Sequence, residues 1–197
     1  MPGQRAPAPM TVATFLEWAS RRPEDERRDL VEGEPVPSRG STPEHAMAAE
    51  TVTHARIRRR IDHALSDALA KGGHDCEVFV SGPMVQIDAT TAFEPDVVVS
   101  CAKVPEGVLV PEPLIVVEVL SVITRERDLT IKLAGYASLP SVTHYLLVET
   151  DRHLVVHHHR VAGEPELRTA IVRQGVLQLD PPGLSLDIDA IYRDSGV

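Results

Sequence analysis

The most constraining feature of this sequence is an almost uniformly apolar run over residues 114–120, LIVVEVL. Its apolar residues do not alternate with polar ones, which predicts a central strand covered on both faces. Glu118 lies inside this run. A carboxylate removed from water is costly unless it is paired, protonated or bound to a metal, so Glu118 is a candidate site residue. The alternative is a strand-end glutamate that reaches solvent or pairs with a helix.

A second carboxylate stands at the start of another apolar segment. Asp96 follows a Glu-Pro dipeptide and precedes three consecutive valines. Since Pro-Asp is also common turn chemistry, a turn aspartate is the alternative interpretation. If the two segments are neighbouring buried strands, Asp96 and Glu118 form an oxygen-rich pocket suited to Mg²⁺ or Mn²⁺.

A lysine and a tyrosine follow on the next predicted helix, residues 128–139. Asp128, Lys132 and Tyr136 are four residues apart, so they share one face of that helix. A routine surface salt bridge is the more common meaning of an Asp-x-x-x-Lys pattern. The trio becomes informative only in combination with the two strand carboxylates.

The other apolar patterns predict a mixed α/β (α+β) fold with extra antiparallel hairpins. Aliphatic residues recur every four positions from Ile57 to Leu69 and two glycines follow, which predicts a helix over 53–71. We expect residues 1–10 to be a flexible leader and 11–197 to be one domain. The further predicted elements are a helix beginning at Thr11, a hairpin over 29–36, a loop over 37–45, strands over 77–81, 84–88, 96–100, 144–149 and 154–161, and short strands over 169–173 and 176–179 that complete the sheet.

The bulk composition limits the class of protein. The 197 residues carry a net charge of −9, which counts against a general nucleic-acid binder, because affinity for phosphates comes largely from Lys and Arg. An enzyme that gathers acids around metal ions can still be acidic. No signal peptide or membrane span is predicted. Cys76 and Cys101 are too far apart for a CxxC site, and we expect reduced thiols in a cytoplasmic protein.

Together these segments resemble the Uma-type restriction endonucleases, a bacterial branch of the PD-(D/E)XK nuclease superfamily. The resemblance extends from Thr11 to Tyr192, and its segments occur in the family's order. They are FEPDVVV over 93–99, IVVEVLS over 115–121, D-x-x-x-K-x-x-x-Y over 128–136, HYLLV over 144–148, DLVEGE over 29–34 and HARI over 54–57.

The resemblance implies a four-stranded mixed core sheet flanked by helices, and divalent-metal-dependent hydrolysis of phosphodiesters, with DNA as the expected substrate. Asp96 corresponds to the aspartate of the PD motif, and Glu118 to the second ligand of Mg²⁺ or Mn²⁺. The superfamily lysine usually stands two residues after that acid, where this chain has Leu120, so Lys132 is expected to replace it. Asp96, Glu118 and Lys132 are therefore the predicted catalytic residues.

Five further residues receive supporting roles from the resemblance. Asp128 is expected to orient the catalytic lysine, and Tyr136 to border the pocket. His54 is expected near the scissile phosphate, with a helix-capping or surface histidine as the alternative. Asp29 and Glu32 match the family by position, although family members usually carry Glu at the first position and Asp at the second.

Basic residues over 56–60 are the densest candidate for substrate contact. Arg56 and Arg60 share a helix face and are predicted to bind phosphates, with a solvated helix face as the alternative. Three consecutive histidines begin at His157. Consecutive strand residues point to alternate faces, so at most His157 and His159 could converge, and we expect an exposed strand there rather than a metal site.

Two classes of function are consistent with the sequence. The first is a Mg²⁺-dependent DNA endonuclease, favoured by the intact Asp96, Glu118 and Lys132 set. The second is a non-catalytic module that keeps the nuclease fold and binds nucleic acid or a protein, favoured by the acidic charge and the lack of a separate DNA-recognition domain. A homodimer is compatible with the first, because the superfamily often pairs subunits to cut two strands.

Overall fold

The computed structural model of the protein describes residues 8–23, 26–38, 51–120, 128–164 and 166–197, without the side chain of Asp128. Most of the predicted leader and of the predicted loop over 37–45 therefore lies outside the described residues. The strands are β1 (Arg28–Val31), β2 (Glu34–Pro37), β3 (Glu77–Val80), β4 (Val85–Gln86), β5 (Ala92–Phe93), β6 (Val97–Ser100), β7 (Pro113–Leu120), β8 (His144–Glu149), β9 (Val155–Arg160), β10 (Leu167–Val172), β11 (Val176–Leu179) and β12 (Leu184–Asp187). The helices are α1 (Val12–Ala19), α2 (Val52–Gly72), α3 (Leu133–Ser138), which a π-helical turn (Asp128–Lys132) precedes, and α4 (Ile188–Tyr192).

The main sheet has six strands in the order β10-β9-β8-β7-β6-β3. Strand β7 is parallel to β8 and antiparallel to β6, and the other pairs are antiparallel. The predicted central position of β7 is confirmed, because all but one of its residues are buried. The expected mixed sheet is also confirmed, but it is wider than the four strands that the resemblance implies.

Helix α2 covers one face of this sheet. Its aliphatic residues at four-residue spacing are buried and pack against the inward-facing valines of β6 and β7. The Thr51 hydroxyl caps the helix by accepting a hydrogen bond from the His54 amide. The helix ends at Gly73, whose positive φ of 67° is a conformation that glycine adopts without steric cost. Both predicted ends of this helix are therefore confirmed to within a residue or two.

The opposite face of the sheet packs against α3 and a second, four-stranded sheet in the order β2-β1-β5-β4. The predicted hairpin of β1 and β2 and the predicted start of α1 at Thr11 are confirmed. Phe93 on β5 faces α3, where a Cβ on Gly135 would lie 2.5 Å from its ring. The absence of a side chain at Gly135 therefore lets α3 approach β5 closely.

Near the C-terminal end the sequence-based prediction is partly wrong. Strand β11 does not complete the main sheet but pairs with β12 in a separate two-stranded sheet. Neither β12 nor α4 was predicted, although Leu184 and Leu186 alternate with polar residues and Asp187 caps α4. These apolar residues are buried against α2, so the hairpin covers the helix rather than extending the sheet.

Cys76 and Cys101 form a disulfide, which corrects the expectation of reduced thiols. In the antiparallel pair of β3 and β6, Glu77 lies opposite Ser100. The next residues outward, Cys76 and Cys101, therefore lie opposite each other, with their Cα atoms 4.0 Å apart. Reduced thiols were one argument for a cytoplasmic protein, and this argument no longer holds. The cytoplasmic location stays a prediction. In the described part of the chain, no helix is both long and apolar enough to cross a membrane.

The expectation of an exposed strand at the three histidines is wrong for His157. This side chain is only 3% exposed, because it packs against the buried His144 and the ring of His159. Its Nε2 atom is 2.9 Å from His144 Nδ1, and His144 Nε2 is 3.0 Å from the carbonyl oxygen of Pro181. Since a carbonyl only accepts, a neutral His144 carries its proton on Nε2. Its Nδ1 atom therefore accepts a hydrogen bond from His157 Nε2. The ring of His159 stacks on His157 at 4.8 Å between centroids.

We predict that opening the disulfide lowers the melting temperature. The bond joins residues 25 apart in sequence. A cross-link that closes a loop of that length lowers the entropy of the unfolded chain and so stabilises the folded state by about 3 kcal/mol. Thermal melts with and without reductant, together with the Cys76→Ser, Cys101→Ser double variant, would measure this. The double variant should melt like the reduced wild type and show no response to reductant. Two free thiols in unreduced, denatured wild type would contradict the bond.

We also predict that the free energy of unfolding decreases as pH falls from about 6.5 to 4. Burial lowers the pKa of His144 to about 4, against the opposing effects of the Pro181 carbonyl and Asp180. Burial and the neighbouring histidines lower the pKa of His157 to about 3. The unfolded chain therefore takes up protons in this range that the folded chain excludes, so acid favours unfolding.

The measurement is urea unfolding at several pH values for the wild type and for His157→Gln. Glutamine keeps an N–H donor toward His144 but does not titrate, so the dependence on pH should become shallower. The control is His63→Gln, which removes an exposed histidine from α2. Equal slopes for wild type and His157→Gln would show that the buried pair does not carry the acid response.

Candidate active site

The two predicted strand carboxylates lie opposite each other at one end of β6 and β7. Val97 pairs with Val117 in this antiparallel ladder, so the next residues outward are Asp96 and Glu118. The amide of Val119 donates a 2.8 Å hydrogen bond to Asp96 Oδ2. The structure thus brings together two acids that are 22 positions apart in sequence.

Glu118 is buried and is paired with the helix that follows. Its side chain is 4% exposed and that of Lys132 is 3% exposed, and Lys132 Nζ donates to Glu118 Oε1 at 2.8 Å. The Tyr136 hydroxyl donates to the same oxygen at 3.2 Å. Burial and the charge of Glu118 raise the pKa of Tyr136 well above its ordinary value, so the phenol remains a donor. The four-residue spacing of lysine and tyrosine places both beside one carboxylate.

A third carboxylate joins this group from the N-terminal hairpin. Asp29 on β1 is fully buried. Its Oδ1 accepts a 2.8 Å hydrogen bond from the Glu94 amide, and its Oδ2 lies 3.9 Å from Lys132 Nζ. Lys132 also approaches the Glu94 carbonyl oxygen at 3.5 Å. The lysine is therefore held between β1, β7 and the segment that leads into β6.

Two side chains of α2 also lie close to Asp96. His54 Nε2 is 3.4 Å from Asp96 Oδ2, and Arg58 Nη1 is 3.7 Å from Asp96 Oδ1. Burial alone would raise the pKa of Asp96. Hydrogen bonding and charge from His54, the Val119 amide and the charge of Lys132 outweigh burial and lower that pKa. Asp96 is therefore an anion at neutral pH.

The structure does not bring every predicted residue to this cluster. Glu32 is exposed at the turn between β1 and β2. Arg56 is exposed, and Arg60 donates to the Ile191 carbonyl at 3.3 Å. Successive helix residues rotate by about 100°, so these two arginines lie nearly opposite Arg58. The predicted role of Asp128 concerns a side chain outside the described part of the structure.

Arg58 is the site residue that sequence analysis missed. It belongs to the same basic run as Arg56 and Arg60, which were predicted to bind phosphates because they share a helix face. The signal that could have found it is the spacing from His54: four residues along a helix place both side chains on one face. Once a histidine is assigned to the site, the arginine four residues later becomes a candidate.

The donor chemistry of the cluster fits a hard divalent cation bound by few protein ligands. In the described ranges, no three His, Cys, Asp or Glu side chains are arranged to hold a metal ion. Asp96 and Glu118 supply carboxylate oxygens from facing strand positions. Mg²⁺ usually keeps several waters and binds one or two carboxylates together with substrate phosphates, so two carboxylates suffice. A closed structural metal site does not fit this set.

Comparison with known proteins places the chain in a family. The family model Uma2, described as "Putative restriction endonuclease", matches residues 12–189. The uncharacterized protein slr1290 of Synechocystis sp. is 29% identical over 192 residues, which cover 95% of this chain and 94% of that protein. The uncharacterized protein sll1609 of the same organism is 26% identical over 169 residues, which cover 83% and 88%.

A solved structure confirms the fold. The crystal structure of a "putative nuclease belonging to DUF820" from Anabaena variabilis superposes with a TM-score of 0.68 and 14% identity, over 94% of this chain and 98% of that one. The α+β fold with a mixed sheet is thus shared with a nuclease-like protein. Since the family model spans most of the chain, this protein belongs to the Uma2 family of restriction-endonuclease-like proteins.

Proposed function

We propose that this protein is a divalent-metal-dependent nuclease that hydrolyses phosphodiester bonds of DNA, with Asp96, Glu118 and Lys132 as its catalytic residues. The observation that carries the proposal is the position of the buried Lys132–Glu118 pair directly beside the anionic Asp96. Membership of the Uma2 family supports a nucleic-acid substrate. The preference for DNA, and for Mg²⁺ or Mn²⁺, is part of the proposal.

The carboxylates would hold the cation. Asp96 is an anion at neutral pH, so it can bind a cation without first losing a proton. Glu118 is oriented by Tyr136 and Lys132, which fix one of its oxygens. A bound divalent cation would stabilise negative charge on the phosphate as a Lewis acid.

Lys132 would act on the substrate side of the reaction. Its ammonium group is positioned by Glu118, Asp29 and the Glu94 carbonyl, so little reorganisation is needed when a phosphate arrives. A phosphate oxygen or an attacking water that reaches this group receives a hydrogen bond from it. The lysine has no lone pair while charged and therefore does not bind the cation.

A non-catalytic module is the second candidate, and the same ion pair is what favours it. Glu118 already has a close cationic partner in Lys132 at 2.8 Å. A pair of this kind can serve only to hold β7 against the helix. The net charge of −9 also weakens binding to a phosphate backbone.

We predict that the protein nicks supercoiled plasmid with Mg²⁺ or Mn²⁺, that EDTA abolishes nicking, and that Asp96→Asn is inactive. Millimolar Mn²⁺ should also raise the melting temperature of the wild type, because a ligand at 100 times its Kd stabilises the folded state by about 2.7 kcal/mol. Asp96→Asn should lose most of that shift. The matched control is Asp75→Asn, which changes an exposed aspartate. An equal Mn²⁺ shift in Asp96→Asn would place the cation elsewhere.

A second prediction separates the catalytic from the structural use of the ion pair. Lys132→Met leaves Glu118 and Asp29 as buried carboxylates without their cation, so the metal-free protein should lose about 3–5 kcal/mol of stability. Adding Glu118→Gln should recover part of this loss, because the buried charge is removed as well. Lys132→Met should abolish nicking yet show a larger Mn²⁺ shift than wild type, since the cation replaces the missing charge.

Plasmid nicking and thermal melts, with and without Mn²⁺, measure these outcomes, with the exposed Lys71→Met as control. Nicking by Lys132→Met at the wild-type rate would remove the lysine from the mechanism. A wild type that neither nicks nor responds to Mn²⁺, combined with a strongly destabilised Lys132→Met, would favour the non-catalytic module.

A further inference from the structure

We propose that Arg58 binds the phosphate of the nucleic-acid strand that enters the site, a role that rests on the proposed nuclease function. The cluster is not equally accessible on all sides. The side chains of His54, Asp96 and Arg58 are 10%, 13% and 17% exposed, whereas Lys132 and Glu118 are 3% and 4% exposed. A phosphate that approaches the carboxylates therefore meets the α2 side of the cluster first.

The chemistry of Arg58 suits that position. A guanidinium group presents a rigid fork of N–H donors that matches two oxygens of a phosphate, and its charge does not depend on pH in the working range. His54 lies on the same helix face but is charged only when protonated. Lys132 has a compact charge on a buried side chain and lacks a planar fork of donors. Among these three, Arg58 is the one suited to bidentate phosphate binding at the rim.

One partner of Arg58 in the structure is Asp96. Its Nη1 atom lies 3.7 Å from Asp96 Oδ1, an ion pair longer than a direct hydrogen bond. Among the described residues, the cluster has three carboxylates, Asp29, Asp96 and Glu118, and two permanent cations, Arg58 and Lys132. With a divalent cation on Asp96, the aspartate no longer needs Arg58 as its counter-charge. A phosphate bound by the guanidinium would then restore the balance of charge.

The arginines predicted from sequence are placed less well for this contact. Arg56 and Arg60 lie about 160° around α2 from Arg58, and Arg60 is bonded to the Ile191 carbonyl at 3.3 Å. If they bind nucleic acid, they contact a different part of the strand. The contact at the carboxylates is therefore assigned to Arg58.

The test is the binding of a short labelled DNA duplex in the presence of Ca²⁺, followed by fluorescence anisotropy at several salt concentrations, with a gel to confirm that the duplex stays intact. Arg58→Gln should weaken binding by about 10- to 100-fold, the usual cost of losing a hydrogen bond to a charged group. The slope of log K against log salt should also become shallower by about 0.9, the value for one phosphate contact.

Two variants make the result specific. Arg58→Lys keeps the charge but not the fork, so it should keep the wild-type salt slope and bind less tightly than wild type. Arg59→Gln removes the exposed arginine next in sequence and should leave affinity and slope close to wild type. The Mn²⁺-dependent melting shift should survive in Arg58→Gln and be at least as large as in wild type, because Asp96 loses a competing cation.

The outcomes separate the two proposals. A wild type that nicks plasmid, with Arg58→Gln binding duplex at wild-type affinity and slope, would overturn the role of Arg58 and leave the nuclease intact. Loss of the Mn²⁺ shift in Arg58→Gln would also overturn it, since Arg58 would then support the site structurally. If Arg58→Gln does not fold, wild-type affinity of Arg58→Lys for the duplex would contradict bidentate phosphate binding by the Arg58 guanidinium. A wild type that neither binds duplex nor nicks it would refute the nuclease proposal itself.

Discussion

The ion pair between Glu118 and Lys132 is the interaction on which the arrangement of this protein depends. Burying either charge alone would cost several kcal/mol, and the pair is tolerable because Tyr136 and Asp29 supply further polar partners. The pair joins the central strand β7 to the helical segment after it. Since Asp29 lies on β1, the same lysine also ties the N-terminal sheet to the main sheet.

This interaction divides the candidate site into a buried half and a rim. The buried half holds the lysine between Asp29 and Glu118, whereas Asp96 at the rim is approached by His54 and Arg58 from α2. Buried groups are positioned but have little room to move, and groups at the rim can exchange one partner for another. A hydrolytic site needs both properties: fixed donors near the reacting phosphate, and cations that meet the substrate as it enters.

The family and the fold of this protein are known from its relatives, whereas its candidate site residues are identified from its own geometry. The Uma2 family match and the DUF820 structure establish a restriction-endonuclease-like protein with a mixed α+β sheet. They do not identify the catalytic residues, because the DUF820 structure is only 14% identical to this chain. The convergence of Asp96, Glu118 and Lys132 is a property of this chain's own strands and helix. It is this convergence that makes hydrolysis a better proposal than binding alone.

The sequence by itself determined the elements whose signals are local. The uninterrupted apolar run around Glu118 predicted a buried strand, and the spacing of Lys132 and Tyr136 placed them on one helix face. Tertiary structure decided which distant segments lie side by side. The pairing of β3 with β6 brings Cys76 against Cys101, and the pairing of β9 with β8 buries His157 against His144. The rotation of α2 selects Arg58 rather than Arg56, because which helix face meets Asp96 depends on packing between residues far apart in sequence.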